Sequence, residues 1–211
     1  TAKASMPTDG SANSILGNRF IGGAAANGRI YIAVYNNPGT PWLTHAHEYD
    51  PATNTWTSKT APPFNYTRYA VASHGNKIYA LSDIGEFAEY DPSKDVWTIR
   101  PPATTSRFRT GLTSSGGKVY SAGGGSGSSA VSTVEEFDPI THNWAVRASL
   151  PSARTSPSLG EIAGRIYAVG GSSNISESFP APVTTIEEGL PPTPGSVLQT
   201  PTGDAVTASN G

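Results

Sequence analysis

Two histidines flanking one residue, His45 and His47, stand directly before Glu48 and make the densest set of metal-ligand types in the chain. On a strand, residues i and i+2 share a face, so the pair could offer two imidazoles to one ion. A third ligand would still be needed, and the strand position makes a packed or solvated pair the plainer reading. His45 and His47 are therefore weak metal candidates, and no cofactor is expected. The acid pairs Glu135–Glu136 and Glu187–Glu188 fall at matching places in two similar stretches. That argues against a private catalytic carboxylate pair. Gly123-Gly124-Gly125-Ser126-Gly127 looks like a phosphate loop only on the surface, because no helix N-terminus follows it. The chain has no cysteine, which excludes thiol catalysis and disulfides.

The remaining chemistry is that of binding. Tyr35, Asn36, Asn37 and Trp42 form an aromatic and polar cluster of the kind that stacks on sugar rings or grips a peptide. Tyr66, Arg68, Arg107, Phe108, Arg109 and Arg154 add guanidinium forks and rings, which suit acidic groups. Arg68, Arg107 and Arg154 recur after a strand-ending proline, which points to a structural task for all three. Arg109 stands outside that pattern and is the better ligand candidate. Asn65-Tyr66-Thr67 and Asn174-Ile175-Ser176 are glycosylation sequons, relevant in a host that glycosylates.

A repeat must position these residues. Glu48-Tyr49-Asp50-Pro51 leads to Trp56, Glu89-Tyr90-Asp91-Pro92 to Trp97, and Glu136-Phe137-Asp138-Pro139 to Trp144, with each Asp six residues before its Trp. Asp accepts backbone N–H groups at a turn and Pro fixes the next φ, so the motif closes a hairpin and the Trp buries a large face between sheets. A second anchor is a small-residue turn before Ile30-Tyr31, Ile78-Tyr79, Val119-Tyr120 and Ile166-Tyr167. Its tyrosines are 48, 41 and 47 residues apart. A period in the forties with four short strands per unit points to a propeller blade.

These two anchors, the glycine pairs Gly123-Gly124 and Gly170-Gly171, and the arginines Arg68, Arg107 and Arg154 together resemble kelch repeats. The resemblance covers about residues 1–190 and implies an all-β, kelch-type β-propeller of four-stranded antiparallel blades. Four blades are recognisable, at about 19–63, 64–102, 103–151 and 152–190. Units 1 and 2 depart from the pattern by holding Ala33-Val34 and Leu81-Ser82 where the glycine pair is expected. The fourth unit lacks Asp-Pro and Trp, and Thr1–Pro7 aligns with the last strand of the third (Ala145–Pro151). The N-terminal strand, residues 1–7, is thus expected to complete the last blade. Residues 191–211 read as a Pro/Gly/Thr-rich tail or linker, capable of adding a strand to an exposed edge.

Composition narrows the function. Only 14% of residues are charged, with 23 Gly and 18 Pro, which suits strands and turns. A net charge of −2 gives no footprint for nucleic acid, and no apolar run is long enough for a membrane span. No signal peptide is visible and the chain opens on Thr1, so a processed product or a piece of a longer protein is expected. Low charge with abundant Thr, Ser, Asn and Gly leans toward an extracellular or cell-surface setting. The expectation is a non-enzymatic binding or assembly module, using its variable loop face and its tail to hold a protein partner or to self-associate. The alternative is a carbohydrate-binding or sugar-modifying kelch propeller of isomerase or hydrolase type. Kelch-like copper-radical oxidases need a Cys that this chain lacks.

Overall fold

The computed structural model describes residues 2–6, 19–36, 43–64, 68–175 and 186–189. The tail expected at 191–211 lies outside them. Every described regular element is a strand. The first sheet holds β1 (Arg19–Ala26), β2 (Arg29–Asn36), β3 (Leu43–Asp50) and β4 (Thr55–Lys59) in that order. The second holds β5 (Tyr69–His74), β6 (Lys77–Ser82), β7 (Phe87–Asp91) and β8 (Val96–Arg100). The third is built from β9 (Gly111–Ser115), β10 (Lys118–Ala122), β13 (Val134–Asp138) and β14 (Asn143–Arg147). A small hairpin of β11 (Gly125–Ser126) and β12 (Ser129–Ala130) interrupts it. The fourth sheet shows β15 (Ser158–Ile162), β16 (Arg165–Val169) and β17 (Ile186–Gly189). All described pairings are antiparallel, and each sheet runs in chain order, with β13 following β10 across the β11–β12 hairpin, as in up-and-down propeller blades.

The turns follow from their residues. Asn27-Gly28, Gly116-Gly117 and Ala163-Gly164 take positive φ at both positions, the twist a two-residue hairpin needs. In the other hairpin the Asp side chain caps the turn: the Oδ1 atoms of Asp50, Asp91 and Asp138 accept the amides of Ala52 (2.8 Å), Ser93 (3.0 Å) and Ile140 (2.8 Å). Their Oδ2 atoms bind the base that opens the second strand, Arg29 (3.0 Å), Lys77 (2.6 Å) and Lys118 (2.7 Å). One Asp therefore ties both hairpins of its sheet together.

Each sheet has two faces, because side chains alternate along a strand. Tyr79 and Leu81 face forward onto Val119 and Phe137 of the third sheet, and Tyr120 and Ala122 face forward onto Ile166 and Ala168 of the fourth. Tyr31 packs on Ile78 and Tyr90 in the same way. The first strands stack in series, β1 on β5, β5 on β9, and β9 on β15. That stack is tight. A Cβ on Gly22 would lie 2.9 Å from the Val71 side chain, and one on Gly111 would lie 2.6 Å from Leu159 and 2.8 Å from the Pro157 carbonyl oxygen. Small residues on the first strand are there because the next sheet stands against them. Among the described residues no comparable contact joins β15 to β1.

The Trp of each unit reaches back to the unit before. Trp97 Nε1 donates to Thr60 O (2.9 Å) and Trp144 Nε1 to Pro101 O (2.9 Å), the residue just after the preceding sheet's last strand in each case. Trp56 Nε1 donates to Ala4 O (3.1 Å). Residues 2–6 thus lie on the first sheet where a preceding sheet's exit segment would lie, and carry no strand pairing of their own.

Candidate functional site

Loops enter each sheet at the end opposite the tight turns, and the arginines sit there. Ladder register defines which of them correspond. Ala70 pairs with Leu81 and Gly111 with Ala122, the residues two after Tyr79 and Tyr120. Arg68 stands two residues before Ala70 and Arg109 two before Gly111, so these two are equivalent. Arg107 and Arg154 occupy another position, four residues before Gly111 and Ser158. The sequence grouping of Arg68 with Arg107 and Arg154, and of Arg109 as off-pattern, is corrected by this register. The same count places Ser82-Asp83, rather than Leu81-Ser82, opposite the glycine pair Gly123-Gly124.

The two positions have different environments. Arg107 is buried, as is Glu135, the strand carboxylate it meets at 2.7 Å. Its guanidinium also donates to Ser121 Oγ (2.6 Å), Thr133 O (3.0 Å), Thr105 Oγ1 (3.0 Å) and Gly123 O. Glu135 accepts Thr105 N (3.1 Å), Thr105 Oγ1 (2.8 Å) and the Thr104 hydroxyl. Burial works to raise the Glu135 carboxyl, but the hydrogen bonds from Thr104, Arg107 and Thr105 hold it below the usual range. Arg107 is pulled down by burial and supported by Glu135. The pair is a sealed clamp between the entering loop and the third sheet. Arg154 is likewise buried, with Nη1 donating to Gly170 O (3.0 Å) and its carbonyl accepting Gly124 N (2.8 Å). Both are removed from the set of surface ligand candidates, because their guanidinium groups point into the protein.

Arg109 and Arg68 lie in the half-buried loop layer. Arg109 has φ 56°, a left-handed conformation that is costly for a long side chain. It is held by three loops. Its amide donates to Asp83 Oδ1 (2.8 Å) in the β6–β7 loop, its Nη1 donates to Ile175 O (2.9 Å) beyond β16, and its carbonyl accepts Ser156 N (2.7 Å) from the loop entering β15. Ser156 fills the equivalent position and is also left-handed, at φ 50°. Asp83 N donates to Arg68 O (3.3 Å). Burial pushes the Asp83 carboxyl up, against the Arg109 amide and the charges of Arg68 and Arg109. The arrangement brings two guanidinium groups and one carboxylate from the second and third sheets to one place. It can grip an acidic or amide group; it has the parts of a recognition surface.

Phe108 is spent on packing. It bridges Gly125 through both backbone bonds (3.1 and 2.7 Å), and a Cβ on Gly125 would strike its ring at 2.4 Å. The Arg109 guanidinium carbon lies 5.7 Å from that ring's centre. Tyr35 and Asn36 belong to β2, whereas Asn37, Trp42 and Tyr66 lie outside the described residues. His47 is buried beside Ile32, its Nδ1 atom without a hydrogen-bond partner, and burial followed by the nearby His45 lowers its pKa. Among the described residues no group of three or more His, Cys, Asp or Glu could hold a metal ion. Sequence reasoning missed Asp83, Ser156 and Ile175. Asp83 had one signal: it replaces a glycine of the pair seen in the third and fourth units.

Residues 106–151, the third sheet with its entering loop, match the family described as Kelch motif. No curated protein matches the chain. No helix among the described residues is long and apolar enough to cross a membrane.

Proposed function

We propose that this kelch-repeat chain is a non-enzymatic binding module that holds a protein partner on its loop face, at the cluster of Arg68, Asp83 and Arg109. The kelch motif supports a protein-interaction module in general. The observation that carries the site is Arg109 itself. It is held in a left-handed backbone by groups from three loops of the second and fourth sheets, and strain of this kind persists only where the surroundings over-determine it. Two guanidinium groups beside one carboxylate favour a partner that presents an acidic side chain with a hydrogen-bond donor next to it. Composition is the ground for placing the module outside the cell or on its surface.

Peptide selection on the immobilised chain tests the reading. Selected peptides are expected to carry Asp or Glu at a fixed position and to lose about tenfold in affinity on Arg109→Ala. Peptides whose affinity ignores both Arg109 and Arg68 would overturn it. The sugar-modifying alternative has one supporting observation, the raised carboxyl of Asp83 on the loop face. It needs a second acid or base in reach, and turnover of chromogenic glycosides that vanishes in Asp83→Asn would establish it.

A further inference from the structure

The contacts between sheets are not filled equally. Between the second and third sheets, Leu81 and Phe87 lie opposite each other on the forward face and are buried against Val119 and Phe137. The first sheet has Ala33 and Ala46 at those two places. Ala33 is two residues after Tyr31, as Leu81 is two after Tyr79, and Ala46 is its partner across the ladder. The third sheet is also small there, with Ala122 opposite Val134, but Leu150 and Leu159 pack onto that pair. The matching residues beside the first sheet are Pro62, three after Lys59 as Leu150 is three after Arg147, and Val71, opposite Ala80 as Leu159 is opposite Ala168. Two large side chains are replaced by methyls, and their volume is not made up elsewhere.

The result is a slot between the first and second sheets, with about 340 Å³ of empty space counting its open mouth. Ala33 and Ala46 form one wall, and Ile78, Tyr90 and Trp97, on the rear of the second sheet, form the other. The polar ends of the two rings are already engaged. Tyr90 OH donates to Asp95 Oδ1 (2.6 Å) and Trp97 Nε1 to Thr60 O (2.9 Å). The walls are therefore mostly carbon. Thr60 is the exposed residue of the lining and marks the mouth, at the end of the edge strand β4.

One charge stands at that mouth. Lys59 lies 3.4 Å from Glu48, whereas Arg100 and Arg147 hold the matching Glu89 and Glu136 at 3.0 and 2.9 Å. Both arginines use two guanidinium nitrogens on their carboxylate. Glu48 is bound by the Arg29 guanidinium as well, so its charge does not depend on Lys59 alone. An ammonium with three donors and one long contact can turn to a second anion; a guanidinium fork closed on its carboxylate cannot.

We infer that this slot binds a small single-ring aromatic acid. The ring enters beside Ala46, where the second sheet keeps its own Phe87, and the carboxylate stays at the mouth on Lys59. An apolar space of this size takes a ring in preference to water, and the carboxylate adds a charge-assisted hydrogen bond. Arg109 has no part in the slot, so this inference and the loop-face reading can each fail alone.

The test is titration of phenylacetate, with phenylacetamide as its uncharged match, into the full chain while the methyl signals of Val71 and Ile78 are followed by NMR. Phenylacetate is expected to bind at about 0.1–1 mM and to shift both methyls. Lys59→Gln should weaken phenylacetate about tenfold and leave phenylacetamide unchanged. Ala46→Phe, which restores the residue of the second sheet, should raise the melting temperature by a few degrees and abolish binding of both compounds. Ala33→Leu is the second filling variant, and the methyl shifts are read in the wild-type chain, so the test stands whether or not a variant folds. Unmoved methyls at about 10 mM phenylacetate overturn the inference, as does undiminished binding in a folded Ala46→Phe or Ala33→Leu chain. Equal losses of acid and amide in Lys59→Gln overturn the choice of an acid as ligand.

Discussion

Arg107 and Arg109 are two residues apart and do opposite work. Arg107 makes its bonds inside the protein, to Glu135, Ser121 and three loop or strand oxygens. Removing it leaves a buried carboxylate alone, so Arg107→Ala is expected to cost about 3–5 kcal/mol in urea unfolding. Arg109→Ala is expected to cost under about 1 kcal/mol, since its partners lie in the half-buried loop layer. Equal losses for the two would contradict the assignment. Ala163 is a second residue-scale test. It holds φ 52° where Asn27 and Gly116 hold the same conformation in other sheets. Ala163→Gly is expected to raise the unfolding free energy by about 0.5–1 kcal/mol, by relieving Cβ strain in the left-handed turn.

At the scale of the element, one Asp per sheet joins two hairpins, and its ionisation is part of that joint. Lys118, first, and the Ile140 amide hold the Asp138 carboxyl down at about 2. Lys77 and Ser93 depress Asp91 further. A carboxyl whose pKa is lower folded than unfolded stabilises the fold above its unfolded value and loses that contribution as pH falls through its folded one. Stability is therefore expected to be level from neutral pH to about 5 and to fall between about 4 and 2. Thermal melts across that range check it, and Asp138→Asn should flatten the fall. Packing gives a second element-scale expectation. Gly111→Val drives a side chain into Leu159 and the Pro157 carbonyl, and should destabilise by about 1–3 kcal/mol in the same unfolding assay.

Across the whole molecule, the repeated parts were legible in the sequence and the unrepeated ones were not. Asp50, Asp91 and Asp138 cap turns as their spacing implies, and Trp56, Trp97 and Trp144 lie between neighbouring units. These tasks depend on residue type and local spacing, which repetition amplifies. The site depends on register. Arg68 resembled Arg107 because each stands five residues after a proline pair, yet ladder pairing equates it with Arg109; the loops are equally long, and the pair Pro62-Pro63 simply lies two residues further along its loop than Pro101-Pro102. Asp83 left only one trace, the place of a missing glycine, because its role comes from Arg109 and Arg68, which approach it through space. Arg154 was legible as structural, since recurrence at one position argues for a task common to all units, and its burial agrees.

On the proposed function, the loop face recognises a partner through Arg109 while Arg107 only holds the fold. The direct measurement is calorimetric titration of a selected acidic peptide into the wild-type chain and into Arg109→Ala, with a thermal melt of each. Binding is expected to be about tenfold weaker in the variant, with melting changed by no more than a few degrees. Undiminished affinity in a fully folded Arg109→Ala chain would contradict it.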